Sequence, residues 1–206
     1  DGDRAGSAQE CRSVDSLVIL STEGRAFTLA IASLPDGRGM GAPLSSFVEL
    51  GTGKIAHVLT GLAGDELLVA KTSGYGFICT YADLLSRQKA GKAFLSVEEG
   101  ATILPPVRLA GKDHLAALSE DGRLLIFPLE QMKRLSAGKG VQIIGLHDNE
   151  SLRAVIATQG DRVTIKGMFR NRIKTLLSED RHLGQRARRG SPVGQLGNVT
   201  LAAYPE

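Results

Sequence analysis

The 206 residues include 25 lysines and arginines against 22 acidic residues, so the formal net charge of +3 does not by itself indicate an anionic partner. Hydrophobic residues make up 42% of the chain, as in a globular protein. No apolar run approaches the roughly 18 residues of a membrane-spanning helix, so a membrane partner is not expected. The 25 glycines, with few prolines and no tryptophan, indicate many tight turns between short strands.

The chain begins with a short polar stretch, and residues 1–14 are interpreted as a linker or as the remnant of a preceding blade. The two cysteines, Cys11 and Cys79, lie far apart and lack the spacing of a metal site. We therefore expect both to be free thiols in a reducing, cytoplasmic compartment. The four histidines have no HxxxH or HExxH spacing, and no Cys/His cluster fits zinc, so no metal site is expected.

Four segments of the chain align without gaps on a shared glycine. In each, an apolar run leads into a short polar stretch that ends in this glycine, and a second apolar run follows. This pattern predicts a β-hairpin in which glycine supplies a positive φ. The predicted hairpins are residues 15–27, 65–77, 113–125 and 151–163, with Gly24, Gly74, Gly122 and Gly160 as the aligned glycines.

A second shared element, rich in glycine and basic residues, follows each predicted hairpin and is called a box here. A further apolar stretch leads from each of the first three boxes to the next hairpin, so a repeat holds two hairpins' worth of strand. About 40–50 residues per repeat is typical of a propeller-like blade. Residues 82–88 and 129–135 could each form a single helical turn. Boxes 1 to 4 are GRGMGAPL (37–44), KAGKAFLSV (89–97), SAGKGVQII (136–144) and RARRGSPVGQL (186–196).

The first six residues of box 1, GRGMGA, also fit the dinucleotide fingerprint G-x-G-x-x-G/A. That fingerprint should follow a buried strand and open a helix, but Pro35 and Asp36 precede it. Pro43 would in addition remove a hydrogen-bond donor near the first helical turn. We therefore interpret box 1 as a turn with Arg38 pointing outward, either as a contact to the phosphates of a much larger partner or within a purely structural connection between blades.

The repeated hairpins and boxes, including the runs GYGFICTYADLLSRQKAGKA, ILPPV, GRLLIFPL, LSAGKG and RARRG, resemble a known family. It is the C-terminal domain of the A-type subunit of bacterial topoisomerase IV, related to the corresponding domain of gyrase. The resemblance extends over residues 13–200. It implies an all-β fold, the β-pinwheel, in which four-stranded antiparallel blades form a ring and exchange their outer strands. The family uses the basic outer rim to bind and bend duplex DNA.

Two features depart from the family pattern. Gyrase relatives carry a box reading QRRGGKG that drives chiral wrapping, and no segment here has it; RARRGSP is the nearest. This favours topoisomerase IV, with the gyrase wrapping domain as the alternative. Only four repeats are visible where another upstream blade is expected, so we expect an open or incomplete ring. The predicted blades of this single domain cover residues 15–64, 65–112, 113–150 and 151–206.

Positive charge is concentrated late in the chain, where residues 161–190 hold nine basic residues against three acidic ones. Basic side chains at repeated rim positions suit a sequence-independent phosphate track. With 4% aromatic residues, duplex DNA is favoured over single strands. Box 4 is expected to dominate binding and box 1 to be secondary. The candidate DNA-binding residues are Arg38, Arg87, Lys89, Lys92, Lys133, Arg134, Lys139, Arg170, Arg172, Lys174, Arg186, Arg188 and Arg189.

The sequence contains no phosphate-binding loop, no G-x-S-x-G elbow, and no tyrosine beside the arginine and acidic-metal motif that strand cleavage needs. We therefore expect no catalytic centre and no cofactor in this domain. The resemblance implies that strand cleavage and ATP hydrolysis, with ATP and Mg²⁺, reside elsewhere in the holoenzyme. The implied partners are duplex DNA, the other domains of the A-type subunit, and the B-type ATPase subunit, in the bacterial cytoplasm at the nucleoid.

Two other functions are compatible with a propeller-like fold. A protein-interaction scaffold could use the same basic rim for acidic protein partners. An enzyme with a site in the central channel would need a convergent set of acid, base or metal-binding residues, and the sequence offers none. The first alternative differs from the DNA-binding interpretation only in the partner.

Overall fold

The computed structural model describes residues 11–35 and 41–204, which form fifteen strands in four antiparallel sheets. This confirms the predicted all-β architecture of propeller-like sheets. In spatial order, the first sheet contains Ile55–Thr60 (β3), Ser16–Ser21 (β1), Arg25–Ala30 (β2) and Lys92–Ala93 (β6), and the second contains Val141–Gln142 (β10), Tyr75–Thr80 (β5), Glu66–Ala70 (β4) and Val107–Arg108 (β7). The third contains Leu152–Thr158 (β11), His114–Ser119 (β8), Arg123–Pro128 (β9) and Ser191–Pro192 (β14), and the fourth contains Arg172–Leu177 (β13), Val163–Phe169 (β12) and Gly197–Ala203 (β15).

Each of the first three sheets is built on a hairpin and completed by a strand from the next repeat. The hairpins β1–β2, β4–β5 and β8–β9 turn at Gly24, Gly74 and Gly122, which have φ values of 77°, 83° and 70°. Three of the four predicted hairpins are therefore confirmed. The outer strands β6, β10 and β14 belong to boxes 2, 3 and 4, and each pairs with the second strand of the hairpin one repeat earlier. This is the outer-strand exchange that the family resemblance implies.

The predicted hairpin at residues 151–163 is wrong. Its first strand, β11, pairs with β8 in the third sheet, so Gly160 lies in the connection between two sheets. The fourth hairpin is instead β12–β13, whose two-residue turn places Arg170 and Asn171 at φ values of 48° and 61°. The connection through Gly160 has the same apolar–glycine–apolar pattern as a hairpin, whereas the real turn contains no glycine. Asn171 lies 49 residues after Gly122, which restores the regular spacing of the turns.

Three buried apolar clusters hold consecutive sheets together. Each is formed by the facing side chains of two neighbouring sheets, as between stacked blades. The first and second sheets meet through Val18, Leu20, Phe77 and Phe94; the second and third through Leu68, Ile78, Leu115 and Phe127; and the third and fourth through Ala116, Leu124, Ile165 and Val199.

The two ends of this stack differ from its interior. The far face of the first sheet packs against its own β2–β3 connection, where Val48 and Leu44 contact Ile19 and Phe27. Within residues 11–35 and 41–204, no buried apolar cluster joins the first sheet to the fourth. The arrangement is therefore open, as expected. The upstream remnant predicted in residues 1–14 falls mostly outside the described residues.

The helical elements are single turns between strands. The predicted turns at 82–88 and 129–135 correspond to the α-helix Tyr81–Leu84 (α1) and the 3-10 turn Leu129–Gln131. A reciprocal pair of hydrogen bonds between Thr80 and Asp83 caps α1. In the part of the chain that is described, no helix is long and apolar enough to cross a membrane. The other 3-10 turns are Ile31–Ser33, Leu44–Ser46 and Asp180–His182.

Candidate nucleic-acid interface

The glycines of boxes 2, 3 and 4 are required by the way each box lies on the hairpin one repeat earlier. Each has a positive φ, and a Cβ atom added to it would lie under 3 Å from a backbone oxygen of the hairpin's second strand, closer than real Cβ atoms approach. Any side chain would therefore push the box away. These glycines, with their φ values and the distances from the added Cβ, are Gly91 (64°, 2.7 Å to Ala26 O), Gly140 (84°, 2.4 Å to Gly76 O) and Gly190 (74°, 2.6 Å to Leu124 O).

Arginines that follow the hairpin turns hold two of these boxes in place. Arg25 donates to the carbonyl oxygens of Ala90 and Gly91 at 2.8–3.1 Å, and Arg123 donates to the carbonyl oxygen of Gly190 at 3.1 Å. Both guanidinium groups bind the protein backbone and are only partly exposed. They are therefore structural cations and not candidate phosphate ligands.

Two candidate cations of box 3 and its approach are paired with carboxylates. Arg134 donates to Glu66 with an Nε–Oε1 distance of 2.7 Å, and Lys139 lies 3.5 Å from Glu98. The ion pair with Glu66 raises the pKa of Arg134, first through the hydrogen bond and then through the charge. Both side chains remain about half exposed, so a phosphate would have to compete with the carboxylate.

Box 4, the most basic box, uses two of its three arginines to anchor itself. Arg186 donates to the carbonyl oxygens of Gln131 and Gln142 at 2.8 and 2.6 Å, which ties the box to the third sheet's rim turn and to box 3. Arg189 forms an ion pair with Glu150, whose side chain is almost fully buried. Burial alone would raise the pKa of Glu150, but hydrogen bonds from the His147 N–H, Ser119 and Arg189 lower it to about 2.

The remaining cations of the predicted set have no carboxylate partner within the described residues. All but Lys92 are exposed, and Lys92 is half-buried. Such side chains can turn toward a phosphate without breaking an ion pair of the fold. They are Arg87, Lys89 and Lys92 in and before box 2, Lys133 before box 3, Arg170, Arg172 and Lys174 in the fourth hairpin, and Arg188 in box 4. Arg38 lies outside the described residues.

The fourth hairpin carries three of these cations, and two of them lie near one aromatic ring. The Arg170 guanidinium and the Lys174 ammonium lie 5.2 and 5.6 Å from the centre of the half-buried Phe169 ring. Both distances are within the range of cation–π attraction. Phe169 ends β12 and Arg170 lies in the left-handed turn that follows, whereas Lys174 lies within β13. No comparable aromatic–cation group was predicted from the sequence.

Sequence reasoning also missed a buried cation in the second hairpin. The Lys71 side chain is fully buried, and its ammonium group lies 2.9 Å from both carboxylate oxygens of Glu98. Burial would raise the pKa of Glu98, but the hydrogen bonds and charge of Lys71, together with hydrogen bonds from its own backbone and Ser73, lower it to about 2. Glu98 also contacts Lys139, whose ammonium lies 4.5 Å from the Tyr75 ring centre. A lysine directly after an apolar strand is not a sequence pattern that predicts a buried ion pair.

Comparisons with known proteins agree with this geometry. The family described as the DNA gyrase C-terminal domain, beta-propeller, matches residues 113–159. The A-type subunit of DNA topoisomerase 4 from Escherichia coli K12 is 36% identical over 154 residues, 74% of this chain and 20% of that protein. Its counterpart from Pseudomonas aeruginosa is 34% identical over 201 residues, 92% of this chain and 26% of that protein. The solved E. coli ParC C-terminal domain matches with a TM-score of 0.83 at 29% identity, covering 93% of this chain and 82% of that chain.

The chain belongs to the family of C-terminal domains found in the A-type subunits of topoisomerase IV and gyrase. Its fold is the β-pinwheel of that family. The chain spans about one fifth of the length of the first curated relatives that it matches. Those relatives are named for topoisomerase 4, in agreement with the missing QRRGGKG box.

Both cysteines are free, but they differ in environment. Cys11 is exposed, whereas Cys79 is buried beside the first sheet. Burial, and to a smaller extent the charge of Asp83, raises the pKa of the Cys79 thiol to about 12, so it stays protonated at neutral pH. Within the described ranges, no group of three His, Cys, Asp or Glu side chains could hold a metal ion.

Proposed function

We propose that this pinwheel is a non-catalytic module that binds and bends duplex DNA for a type II topoisomerase. The observation that carries the proposal is the recurrence of exposed cations without carboxylate partners in or shortly before boxes 2 to 4 and in the fourth hairpin, among the described residues. These side chains come from successive sheets, so they repeat along the stack. Phosphates of a duplex also repeat regularly and can be contacted without reading the sequence.

The module binds DNA mainly through counterion release. About six phosphate contacts from these cations would give a slope near −5 in log affinity against log salt. Bending a short duplex along several sheets costs on the order of 1–6 kcal/mol, which the additional phosphate contacts offset. The scarcity of aromatic side chains supports a duplex ligand over a single strand.

Within the holoenzyme, the module presents DNA segments to a cleavage core located elsewhere in the A-type subunit. The names of the relatives, which are subunits of topoisomerase 4, support decatenation and supercoil relaxation as the reactions served, and thereby chromosome segregation. Cleavage, ATP and Mg²⁺ belong to other parts of the A-type subunit, and to the B-type ATPase subunit. The site of action is the bacterial cytoplasm, at the nucleoid.

A matched pair of charge variants tests DNA binding. Lys89→Gln with Lys133→Gln removes two unpaired cations at the boxes, whereas Lys54→Gln with Lys112→Gln removes the same charge from connections outside the boxes. Measured by fluorescence anisotropy on a duplex, the first pair is expected to reduce the magnitude of the salt slope by about 2, since each phosphate contact contributes about 0.9. The control pair is expected to change it by less than about 0.5.

The proposal fails if duplex affinity is absent at low salt, is independent of salt, or falls equally in both variants. An unchanged circular dichroism spectrum is required of each variant. A protein scaffold for acidic partners would show the last of these outcomes, because only overall charge would then act on DNA.

A further inference from the structure

The turn of the fourth hairpin differs in charge from the turns of the other three. The first turn contains Glu23, the third contains Glu120 and Asp121, and the second, residues 72–74, is uncharged. The fourth turn consists of Arg170 and Asn171. We propose that these two side chains enter the minor groove of duplex DNA and give the domain a preference for A·T-rich sequence at that point. The proposal rests on the DNA binding proposed above and assigns the chemistry of one contact.

The acidic side chains of the other turns are bound within the fold, whereas those of the fourth turn are not. Within residues 11–35 and 41–204, no hydrogen bond or ion pair ties the side chain of Arg170 or Asn171 to the rest of the protein. Both side chains are exposed and available to a ligand. The pairs at the other turns are Glu23 with Thr52, Glu120 with Arg153 and Asp121 with Arg189.

The turn of a hairpin stays exposed even where a box lies on that hairpin. Box 2 lies on the first hairpin and box 4 on the third, yet Glu23, Glu120 and Asp121 are all exposed. The exposure of the fourth turn is therefore a property of the turn itself, and it does not depend on what lies along the edge of β13.

The backbone of the fourth turn indicates that the arginine is kept for its side chain. Arg170 and Asn171 have φ values of 48° and 61°, in the left-handed region. Asparagine adopts this region more readily than most residues, and hairpin turns of two residues favour Asn-Gly. Arginine is therefore an unfavourable choice for the turn. Unfavourable backbone positions of this kind concentrate at functional sites.

Four side chains beside the turn form one group on a single face of the fourth sheet. Phe169 pairs with Arg172, and Lys174 lies two residues further along β13, so these three side chains project from the same face. That face packs on the third sheet, because Ile165, which shares it, is buried between the two sheets. Arg170 joins the group over the Phe169 ring, 5.2 Å from its centre. The ring attracts the cations without neutralising them.

The width of the fourth sheet decides which groove the turn can enter. Its central strand β12 pairs with β13 on one side and with β15 on the other, and the pairing with β15 extends to Met168, two residues before the turn. Three strands measure about 10 Å between the outer backbones, before any side chain is added. The major groove is about 12 Å wide and admits a ribbon of two strands, so this sheet is too wide for it. The minor groove, about 6 Å wide, admits side chains alone.

Arginine and asparagine suit the chemistry of the minor groove. At A·T pairs its floor presents the acceptors adenine N3 and thymine O2, whereas a G·C pair adds the guanine amino group. The Arg170 guanidinium is attracted by the negative potential of narrow, A·T-rich grooves, and the Asn171 amide can donate to the same acceptors. Arg172 and Lys174, beside the turn, are placed to contact the phosphates that border the groove. The expected preference for A·T pairs therefore adds to binding that is otherwise independent of sequence.

Three duplexes of equal length that differ in groove chemistry test the inference on the full chain. One is built from A·T pairs, one from G·C pairs, and one from inosine·cytosine pairs. Because inosine lacks the amino group of guanine, the third duplex has a minor groove like that of A·T and a major groove like that of G·C. We expect the chain to bind the A·T and inosine duplexes about fivefold more tightly than the G·C duplex. An inosine duplex bound as weakly as the G·C duplex would overturn the proposal.

Arg170→Lys keeps the charge of the turn and tests the guanidinium group. This variant should keep the salt slope of binding but lose most of the preference, because an ammonium group is more strongly hydrated and enters a narrow groove less readily. The matched control is Lys89→Gln, which should weaken binding to all three duplexes by the same factor and leave the preference unchanged. Each variant must retain the circular dichroism spectrum of the unmodified chain. A preference that survives Arg170→Lys in full would contradict the inference.

The same measurements separate this inference from the proposed function on which it rests. If the chain binds none of the three duplexes at low salt, DNA binding itself is wrong and the groove contact falls with it. If it binds all three equally and with a normal salt dependence, DNA binding stands and only the minor-groove contact is overturned.

Discussion

The Lys71 ammonium group lies 2.9 Å from both carboxylate oxygens of Glu98 and is completely enclosed by protein. Lys71 directly follows β4 of the second hairpin, and Glu98 follows box 2, which lies on the first hairpin. The ion pair therefore links two sheets through a charge that water cannot reach from the lysine side. At the equivalent ends of β1 and β8, the chain has Ser21 and Ser119.

Glu98→Gln is expected to destabilise the fold by about 2–3 kcal/mol, because it leaves the buried Lys71 charge without its partner. The value lies below that of a fully buried pair because the Glu98 side chain is about one-third exposed. Combining Glu98→Gln with Lys71→Ser should recover most of the loss. Urea unfolding measures the free energy of unfolding of the single and the double variant. A double variant no more stable than Glu98→Gln alone would show that loss of the ion pair does not cause the destabilisation.

Gly140→Ala is expected to cost about 2–4 kcal/mol, whereas Gly111→Ala should cost about 1 kcal/mol. Both glycines have positive φ, but only at Gly140 would the new Cβ meet backbone, 2.4 Å from the Gly76 oxygen. The comparison therefore isolates the close approach of box 3 to the second hairpin. Equal unfolding free energies for the two variants would mean that the box is not held tightly against the strand.

We expect His182 to lower the free energy of unfolding as the pH falls from about 7 to about 5. Its Nδ1 accepts a hydrogen bond from the Glu179 N–H, which leaves Nε2 to donate toward the Pro192 carbonyl, so the folded state holds the neutral ring. Burial is the main cause that lowers the pKa of His182 below its ordinary value of 6.5. Below that value the unfolded chain binds a proton that the folded chain resists, so stability is lost as pH falls.

The matched variant for this prediction is His182→Gln, whose amide can accept and donate in similar directions but does not titrate. Thermal unfolding at pH 7 and pH 5 should show a smaller loss for the variant than for the unmodified chain. Glu98 and Glu150, with pKa values of about 2, add their own loss only below about pH 4.5, outside this window. An identical loss in both proteins would assign the effect to other groups.

Arg188 and Arg189 are neighbours in box 4 but should respond differently to substitution. Arg188→Gln is expected to weaken duplex binding severalfold with no change in melting temperature, because this side chain is exposed and has no carboxylate partner among the described residues. Arg189→Gln is expected to lower the melting temperature by several degrees, because it leaves the buried Glu150 carboxylate without its ion pair. Measuring affinity and melting on both variants tests this division, and equal effects on both quantities would contradict it.

Local chemistry allowed much of the fold to be predicted. Gly24, Gly74 and Gly122 mark hairpins because their left-handed backbone favours glycine, a requirement visible in the sequence. The fourth turn was missed because Arg170 and Asn171 adopt the same backbone region without glycine. The connection through Gly160, which has the apolar–glycine–apolar pattern of a hairpin, was predicted as the hairpin instead.

The candidate interface was harder to predict, because charge in a sequence does not say where a side chain is used. Arg189 and its partner Glu150 are 39 residues apart, and Arg186 binds backbone oxygens from two other segments. Neither pairing leaves a local signal. The expectation that box 4 dominates DNA binding remains a prediction. Of the arginines in this box, all of them described, Arg188 is the one whose side chain is not bound to another part of the protein, so it is the one we expect to contact DNA.

The exchange of outer strands also sets how such a chain can lengthen or shorten. Each box meets the hairpin of whichever repeat precedes it, and the box glycines Gly91, Gly140 and Gly190 recur every 49–50 residues. Duplication or deletion of one whole period, starting at any residue, would bring an existing box onto an existing hairpin in the established register. Loss of a fraction of a period would leave a box facing the wrong residues. Domains of this kind can therefore change their number of blades without needing a new interface.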